Sequence, residues 1–556
     1  MMFVFLLSLL ASAQLSLSAQ LPVSPTAKCA IDGQVLSASS GEPVRRAYLT
    51  LRAVGSRRSP LRVRADASGR FSFSGLEPGN YRLVIERNGY VRTEYGARRP
   101  GRPGTLLSLE PGQSLHQLFV RLLSQSVIVG RVYDEDSDPV PDARVQASQI
   151  SYSRGRRQLL PAGEGTTNDL GEYRIPGLGP GRYYIGAVYR PTGAGASRAS
   201  DDDRISGESR ESYAPTYYPG TSDPSSAAPV DVDAGGQLRA IDLTLLRTPT
   251  SRIRGRVWGG ATGPVQNAIV MLVPRESSRL GLSNRSATSV LDSEGNFEIN
   301  GVAPGSYLVW ANWGNGSARQ PIEVLGTNQD GVNLSIIPNI EVVGRIRTDG
   351  PRSFNLSTLR VLLLSREALP NAFGERARED GGFRIPSVAV DSYRIHVVGL
   401  PENLYVKSIR FGSENVLESG LTLNPSGASL PLEIQLGTTG GEIDGSVRDD
   451  EGNPVTAATV VLVPDAARRS QVHLYKSTST DQYGRFVLQG IAPGDYKLFA
   501  WEDVEADASQ DSEFLSALEG KGASFTIGEL SRQSANVKLI PAVGLPGIGS
   551  TPPAHN

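Results

Sequence analysis

Reactive side chains are scarce in this chain. One cysteine, Cys29, and four histidines serve 556 residues, so no intramolecular disulfide can form and metal ligands are few. There is no excess of either charge: 56 Lys and Arg face 57 Asp and Glu, which removes any global electrostatic drive toward nucleic acid or an anionic membrane. The arginine pairs Arg57-Arg58, Arg98-Arg99 and Arg156-Arg157 read as solvated loops. Beyond the first residues no run approaches the ~20 apolar residues of a spanning helix. Helical periodicity is missing throughout. In its place 61 Gly and 37 Pro punctuate short alternating segments, the pattern of strands joined by tight turns.

What the chain has is repetition. Five times a Gly stands two residues before an aromatic, with a Tyr ten residues after the aromatic: Gly69/Phe71/Tyr81, Gly171/Tyr173/Tyr183, Gly295/Phe297/Tyr307, Gly381/Phe383/Tyr393 and Gly484/Phe486/Tyr496. Such a period marks one small domain copied in series. Each copy opens on an apolar-x-Gly-x-apolar strand: Ile31/Gly33/Val35, Ile128/Gly130/Val132, Ile253/Gly255/Val257, Val342/Gly344/Ile346 and Ile443/Gly445/Val447. Period two puts the apolar pair on one face, toward a core. In the phrase itself Phe71 and Phe73, or Phe297 and Ile299, alternate as a half-buried strand does. The Tyr opens the following strand and is placed to bury its ring while its hydroxyl bonds nearby backbone. Asp66, Asp292 and Asp481, five residues before their aromatics, are expected to hold turns. Copy four is degenerate, with Ser387, Val390 and Asp391 in place of Gly, Pro and Gly, so an altered turn is expected there.

The expected fold is all-β: a tandem array of Greek-key, prealbumin/Ig-like β-sandwich domains. The expected boundaries are a signal peptide over 1–13, sandwiches over 28–124, 125–247, 250–338, 339–437 and 440–541, and a disordered tail over 542–556. Linkers of six to eight residues between last and first strands predict a semi-rigid string. The start, MMFVFLLSLLASAQ, is an apolar run with small residues, and Ala11-Ser12-Ala13 fits cleavage before Gln14. Neither a lipidated Cys29, which follows Lys28, nor a sorting signal at Leu545–Gly549 is expected as an anchor.

The I-x-G-x-V strand, the D-x-x-G-x-F phrase and the G-L-x-P-G-x-Y phrase together resemble the carboxypeptidase regulatory-like domain, a transthyretin-like sandwich found beside the catalytic domain of some zinc carboxypeptidases. The resemblance covers nearly all of the chain after its leader, most closely in copies one, two, three and five. It implies a prealbumin-like Greek key, a grouping with carbohydrate-binding-like folds, and a non-catalytic module of secreted and envelope proteins.

Catalysis has little to stand on. A zinc peptidase needs His-x-x-Glu and a distant His, and none of His116, His396, His473 and His555 has Glu three residues on. There is no G-x-S-x-G elbow and no P-loop. No enzyme and no cofactor are therefore expected. Asp134, Asp136 and Asp138 alternate like the start of a calcium loop, but Pro139 stands where that loop needs Gly, so a solvated acidic turn is the competing reading. Two further features are candidate ligand sites. Residues at odd offsets from the repeat Tyr face away from their own core, and these include Trp310, Phe499 and Trp501, an aromatic platform for a sugar ring or a protein; the competing reading is that neighbouring domains or loops cover them. A polar insertion over 192–236 in copy two holds Asp201-Asp-Asp203 and the tyrosines Tyr213, Tyr217 and Tyr218; either its Tyr-rich half straps the sandwich while its Asp-rich half is mobile, or the whole insertion is flexible. The partners expected from the resemblance and the outward aromatics are a polysaccharide or an envelope protein; the balanced charge implies no nucleic acid, and no membrane span is expected once the leader is removed.

Overall fold

The computed structural model describes residues 27–542 apart from 56–57, 154, 190–210, 260–262, 264, 266, 276–285, 290–291, 351–353, 367–372 and 426–429. The leader expected over 1–13, the Asp201–Asp203 run, His555 and the tail from 543 lie outside these residues. Nearly all regular structure is strand, and it gathers around five separate hydrophobic cores. The plan of the first sandwich recurs. Its opening strand, Cys29–Ser37, lies between Arg70–Leu76, antiparallel to it, and Ser114–Leu122, parallel to it. The second sheet pairs Tyr48–Ala53 with Leu61–Arg64 on one side and Gly79–Glu86 on the other. Two sheets meet face to face, as alternating strands with one apolar face require.

The opening glycine has a packing cause. In every copy the closing strand runs parallel against it, and an added Cβ would overlap a carbonyl of that strand: Leu118 beside Gly33, Ile241 beside Gly130, Val332 beside Gly255, Leu432 beside Gly344, Ala535 beside Gly445. A Gly445→Ala variant should force Gly441–Arg448 away from Arg532–Lys538 and cost about 3 kcal/mol, in the upper range for overpacking. Thermal unfolding of the variant checks this.

The recurring phrase is equally local in its work. Each repeat Tyr donates its hydroxyl to the carbonyl four residues earlier: Tyr81 to Glu77 at 2.7 Å, Tyr183 to Gly179 at 2.8 Å, Tyr307 to Ala303 at 2.9 Å, Tyr393 to Ala389 at 2.7 Å and Tyr496 to Ala492 at 2.8 Å. The ring fills the core while its one polar group is satisfied inside the turn. Asp66 accepts from the N–H groups of Ser68 and Arg70, both at 2.8 Å, and Asp292 and Asp481 do the same in their copies. Copy four keeps the backbone of the turn without the glycine. Ser387 holds φ 55°, where Gly75, Gly177, Gly301 and Gly490 hold 61–82°.

The expected string is corrected by the structure. Sandwich five packs on sandwiches one and two. Arg98, Arg99 and Arg102 of the first meet Glu502, Asp503 and Glu505 of the fifth, and Tyr152 of the second enters a sixth apolar cluster with Trp501, Phe514 and Leu515 of the fifth. Short linkers limit only neighbours in sequence; the chain turns at each joint, and ends about 400 residues apart meet.

Candidate functional site

Of the residues nominated for ligands, Phe499 and Trp501 sit at a contact between sandwiches. Trp310, Phe499 and Trp501 do face away from their own cores, but they are 2%, 0% and 0% exposed. The expectation of an open aromatic platform is therefore corrected. In the fifth sandwich Phe499 and Trp501 stack at 5.1 Å with an 8° interplanar angle. The segment after Trp501, with its short helix Ser512–Ser516, lays Phe514 6.2 Å from the Trp501 ring, and Tyr152 of sandwich two packs on Phe514. In the third sandwich Arg319, which pairs in the ladder with Trp310, reaches Asp391 of the fourth at 2.6 Å. The same outer face in sandwich one carries Arg82, which donates to Ser479 of the fifth at 3.1 Å. Outward from one core here means inward to a joint.

The joint between sandwiches one and five is mainly electrostatic. Asp503 is 4% exposed; Arg102 Nε lies 2.9 Å from one of its oxygens, and Arg99 Nε lies 2.7 Å from the other, off the hydrogen-bond axis. Arg102 also forks to Glu505, and Arg98 meets Glu502 at 2.8 Å. The Arg102 guanidinium is held above its ordinary pKa by Glu505 and Asp503, which outweigh the opposing effect of its burial. Beside this cluster the Gln482 side chain imitates a strand: its Oε1 accepts from Ser108 N at 2.9 Å and its Nε2 donates to Ser108 O at 2.7 Å.

Copy four's departures from the phrase serve the joint between sandwiches three and four. Asp391, buried, accepts from Ser365 Oγ at 2.6 Å and from Ser392 N at 2.6 Å while pairing with Arg319. Ser387 Oγ accepts from Nδ2 of Asn339, the first residue of sandwich four, at 3.0 Å, and Asn339 Oδ1 in turn accepts from Ser317 Oγ of sandwich three at 2.8 Å. Glycine at either place could make none of the bonds of the Asp391 and Ser387 side chains.

A crevice of 130 Å³ between sandwiches four and five holds His396, Tyr405, His473 and Lys476 among apolar side chains. Lys476 Nζ donates to Leu404 O at 3.3 Å. Burial, with the nearby positive groups His396 and Arg468, pushes His473 down from 6.5 to about 4. The fold thus prefers neutral His473, and the unfolded chain takes up the proton first. Stability from this group is complete above pH 6.5 and falls toward pH 4, by up to about 1.4 kcal/mol per pH unit. A His473→Gln variant should flatten that acid limb in thermal unfolding followed from pH 7 to pH 4.

The tyrosine strap of sandwich two is ordered. Strand Glu211–Ala214 pairs with Leu246–Pro249, and Thr216–Tyr217 pairs with Gly181–Val188. Tyr217 is buried, Tyr213 packs at 5.7 Å on Tyr189, and Tyr213 and Tyr218 lie half-buried against the core. The acidic turn does not converge on a cation position. Asp134 accepts from the N–H groups of Asp136 at 3.0 Å and Asp138 at 2.9 Å, and Arg247 lies 2.7 Å from Glu135. Among the described residues no three His, Cys, Asp or Glu side chains are grouped to hold a metal ion. His116 meets Asp32 on the surface of the first sandwich, and Cys29 is a buried thiol whose Sγ lies 3.1 Å from Glu110 O. Among the described residues no helix is long and apolar enough to cross a membrane.

Five cores, five tyrosine corners and shared strand order define a tandem array of β-sandwiches. Residues 30–118, in sandwich one, and 442–526, in sandwich five, match the model of the carboxypeptidase regulatory-like domain. No curated protein matches the chain. Among solved structures it is similar to a streptococcal ancillary pilin, at 13% identity over 56% of this chain and 99% of the pilin, with a TM-score of 0.20. It is also similar to the minor pilin of Streptococcus agalactiae, at 12% identity over 40% and 98%, TM-score 0.23. Two B repeat units of the collagen-binding protein of Staphylococcus aureus align at 10% identity over 74% and 100%, TM-score 0.13.

Proposed function

We propose that this chain works outside the cytoplasm as a non-catalytic scaffold or binding module, presenting five sandwiches in a fixed arrangement to a polysaccharide or an envelope protein. One observation carries this reading. In every copy the repeat's Gly, aromatic and Tyr are consumed by turn geometry and core packing, while the variable residues, Asp391, Asp503 and Trp501 among them, join sandwich to sandwich. Variation between copies has been used to fix their relative positions, which is what a rigid display requires and a flexible tether does not. The apolar start supports export. Stacking of sugar on Trp310, Phe499 or Trp501 finds no support in their burial. Expression of the full chain in a bacterial host, followed by fractionation and N-terminal sequencing, tests the location. Recovery outside the cytoplasm with Gln14 at the amino terminus is expected; an uncleaved cytoplasmic product would contradict it.

A further inference from the structure

We propose that the outer face of the first sheet of sandwich three binds an acidic saccharide, with Arg256 taking the sugar carboxylate and Trp258 the face of a ring. Strand Ser251–Trp258 is the middle strand of this sheet, between Asn296–Val302 and Gln329–Ser335. Ile253 and Val257 point into the core, so period two turns Arg252, Arg254, Arg256 and Trp258 outward. The ladder sets Asn296 and Asn333 on either side of Arg256, Glu298 beside Arg254 and Ser335 beside Trp258. A 440 Å³ groove lies over the middle of this row, lined by Arg254 and Arg256 with Asn296, Glu298, Asp330 and Asn333; Trp258 stands next along the strand, beyond that lining. The depth of the groove has a local cause. Where the closing strand breaks register, sandwich one has Gln117 and sandwich two has Ala240, whereas sandwich three has Gly331, and an added Cβ there would meet open space.

The charges in the groove single out Arg256. Arg254 Nε pairs with Glu298 at 2.6 Å, and the other oxygen of Glu298 accepts from Asn300 at 2.8 Å. Arg252 lies 3.9 Å from Asp330. Arg256 donates from Nε to the Glu294 carbonyl and spreads over the Trp258 ring at 5.3 Å, with no carboxylate partner among the described residues. The two other sandwiches with Arg directly after the motif glycine neutralise it: Arg131 meets Glu172 at 2.6 Å and Arg345 meets Asp380 at 3.3 Å. An unneutralised guanidinium between two carboxamides is a fork for a single carboxylate, with donors and acceptors at hand for flanking hydroxyls. Trp258, 40% exposed, offers indole surface to the C–H face of a ring. Asp330 and the remaining lone pairs of Glu298 are placed to accept from sugar hydroxyls.

This assignment rests on the reading of the chain as a binding array. Calorimetric titration of the full-length chain with trigalacturonate, with cellotriose as neutral comparator, tests it. Trigalacturonate should bind, at least tenfold tighter than cellotriose, and weaken at least tenfold in Arg256→Ala and in Trp258→Ala, while Arg345→Ala leaves it unchanged. Absence of binding, equal binding of cellotriose, or indifference to Arg256→Ala would each overturn the assignment. Such a result with the chain still exported would refute the groove alone; failure of the array reading appears separately, in fractionation.

Discussion

Replacing Trp501 with alanine should destabilise the protein by about 3–5 kcal/mol, the range for truncating a fully buried aromatic. The loss has two parts. The ring leaves a cavity between Phe499 and Phe514, and that cavity lies where the fifth sandwich meets Tyr152 of the second. Unfolding of the fifth sandwich and release of its contact with the second should therefore move together. Among the described residues the buried indole N–H finds no hydrogen-bond acceptor. Trp501→Phe keeps most of the packing and removes that unsatisfied donor, so it should cost far less than Trp501→Ala. Thermal unfolding of both variants checks the ordering; equal losses would mean that the indole is held by something other than packing.

Replacing Asp503 with alanine should be comparably severe for the joint, at about 3 kcal/mol, because it leaves Arg99 and Arg102 facing each other without their shared counterion. The expected result differs in kind from the Trp501 variant. Asp503 lies outside the fifth core, so the sandwiches themselves should stay folded while the first and fifth separate. Limited proteolysis should then cut in the loop around Arg98–Arg102, with the far-UV spectrum unchanged. Asp503→Asn keeps the shape and loses the charge, and it should fall between wild type and alanine. An alanine variant as protected as wild type would show that the Gln482–Ser108 pairing and the apolar contacts hold the joint without the charges.

The two variants divide what was legible in the sequence from what was not. The residues that build each sandwich declare themselves by recurrence. Gly255 and its counterparts, the aromatic at Phe297 and the Tyr at 307 sit at fixed spacings because the turn and the parallel closing strand impose the same geometry on every copy. Alternation also assigned Phe499 and Trp501 correctly to the face away from their own core. It could not tell solvent from a neighbour, because the covering residue, Tyr152, stands about 350 positions earlier and carries no periodic mark. Arg98 and Glu502 are separated by 404 residues, and nothing local in either segment anticipates the other. The degenerate turn of copy four was visible as a departure; that Asp391 and Ser387 use it to hold sandwich three depends on Arg319 and, through Asn339, on Ser317, which only the assembled chain brings near. Arg256 was missed for a related reason. Its distinction is that, among the described residues, it lacks the carboxylate that Arg131 and Arg345 possess, and that comparison needs the cross-strand register.

The fifth sandwich is held against the first and second, so the chain doubles back on itself. Small-angle X-ray scattering of the full chain, beside Asp503→Ala, tests this most directly. This arrangement predicts a pair-distance distribution with a single dominant maximum for the wild type, broadening to longer distances in the variant. An elongated profile for the wild type, with shoulders at a regular inter-domain spacing and no change on removing Asp503, would contradict it.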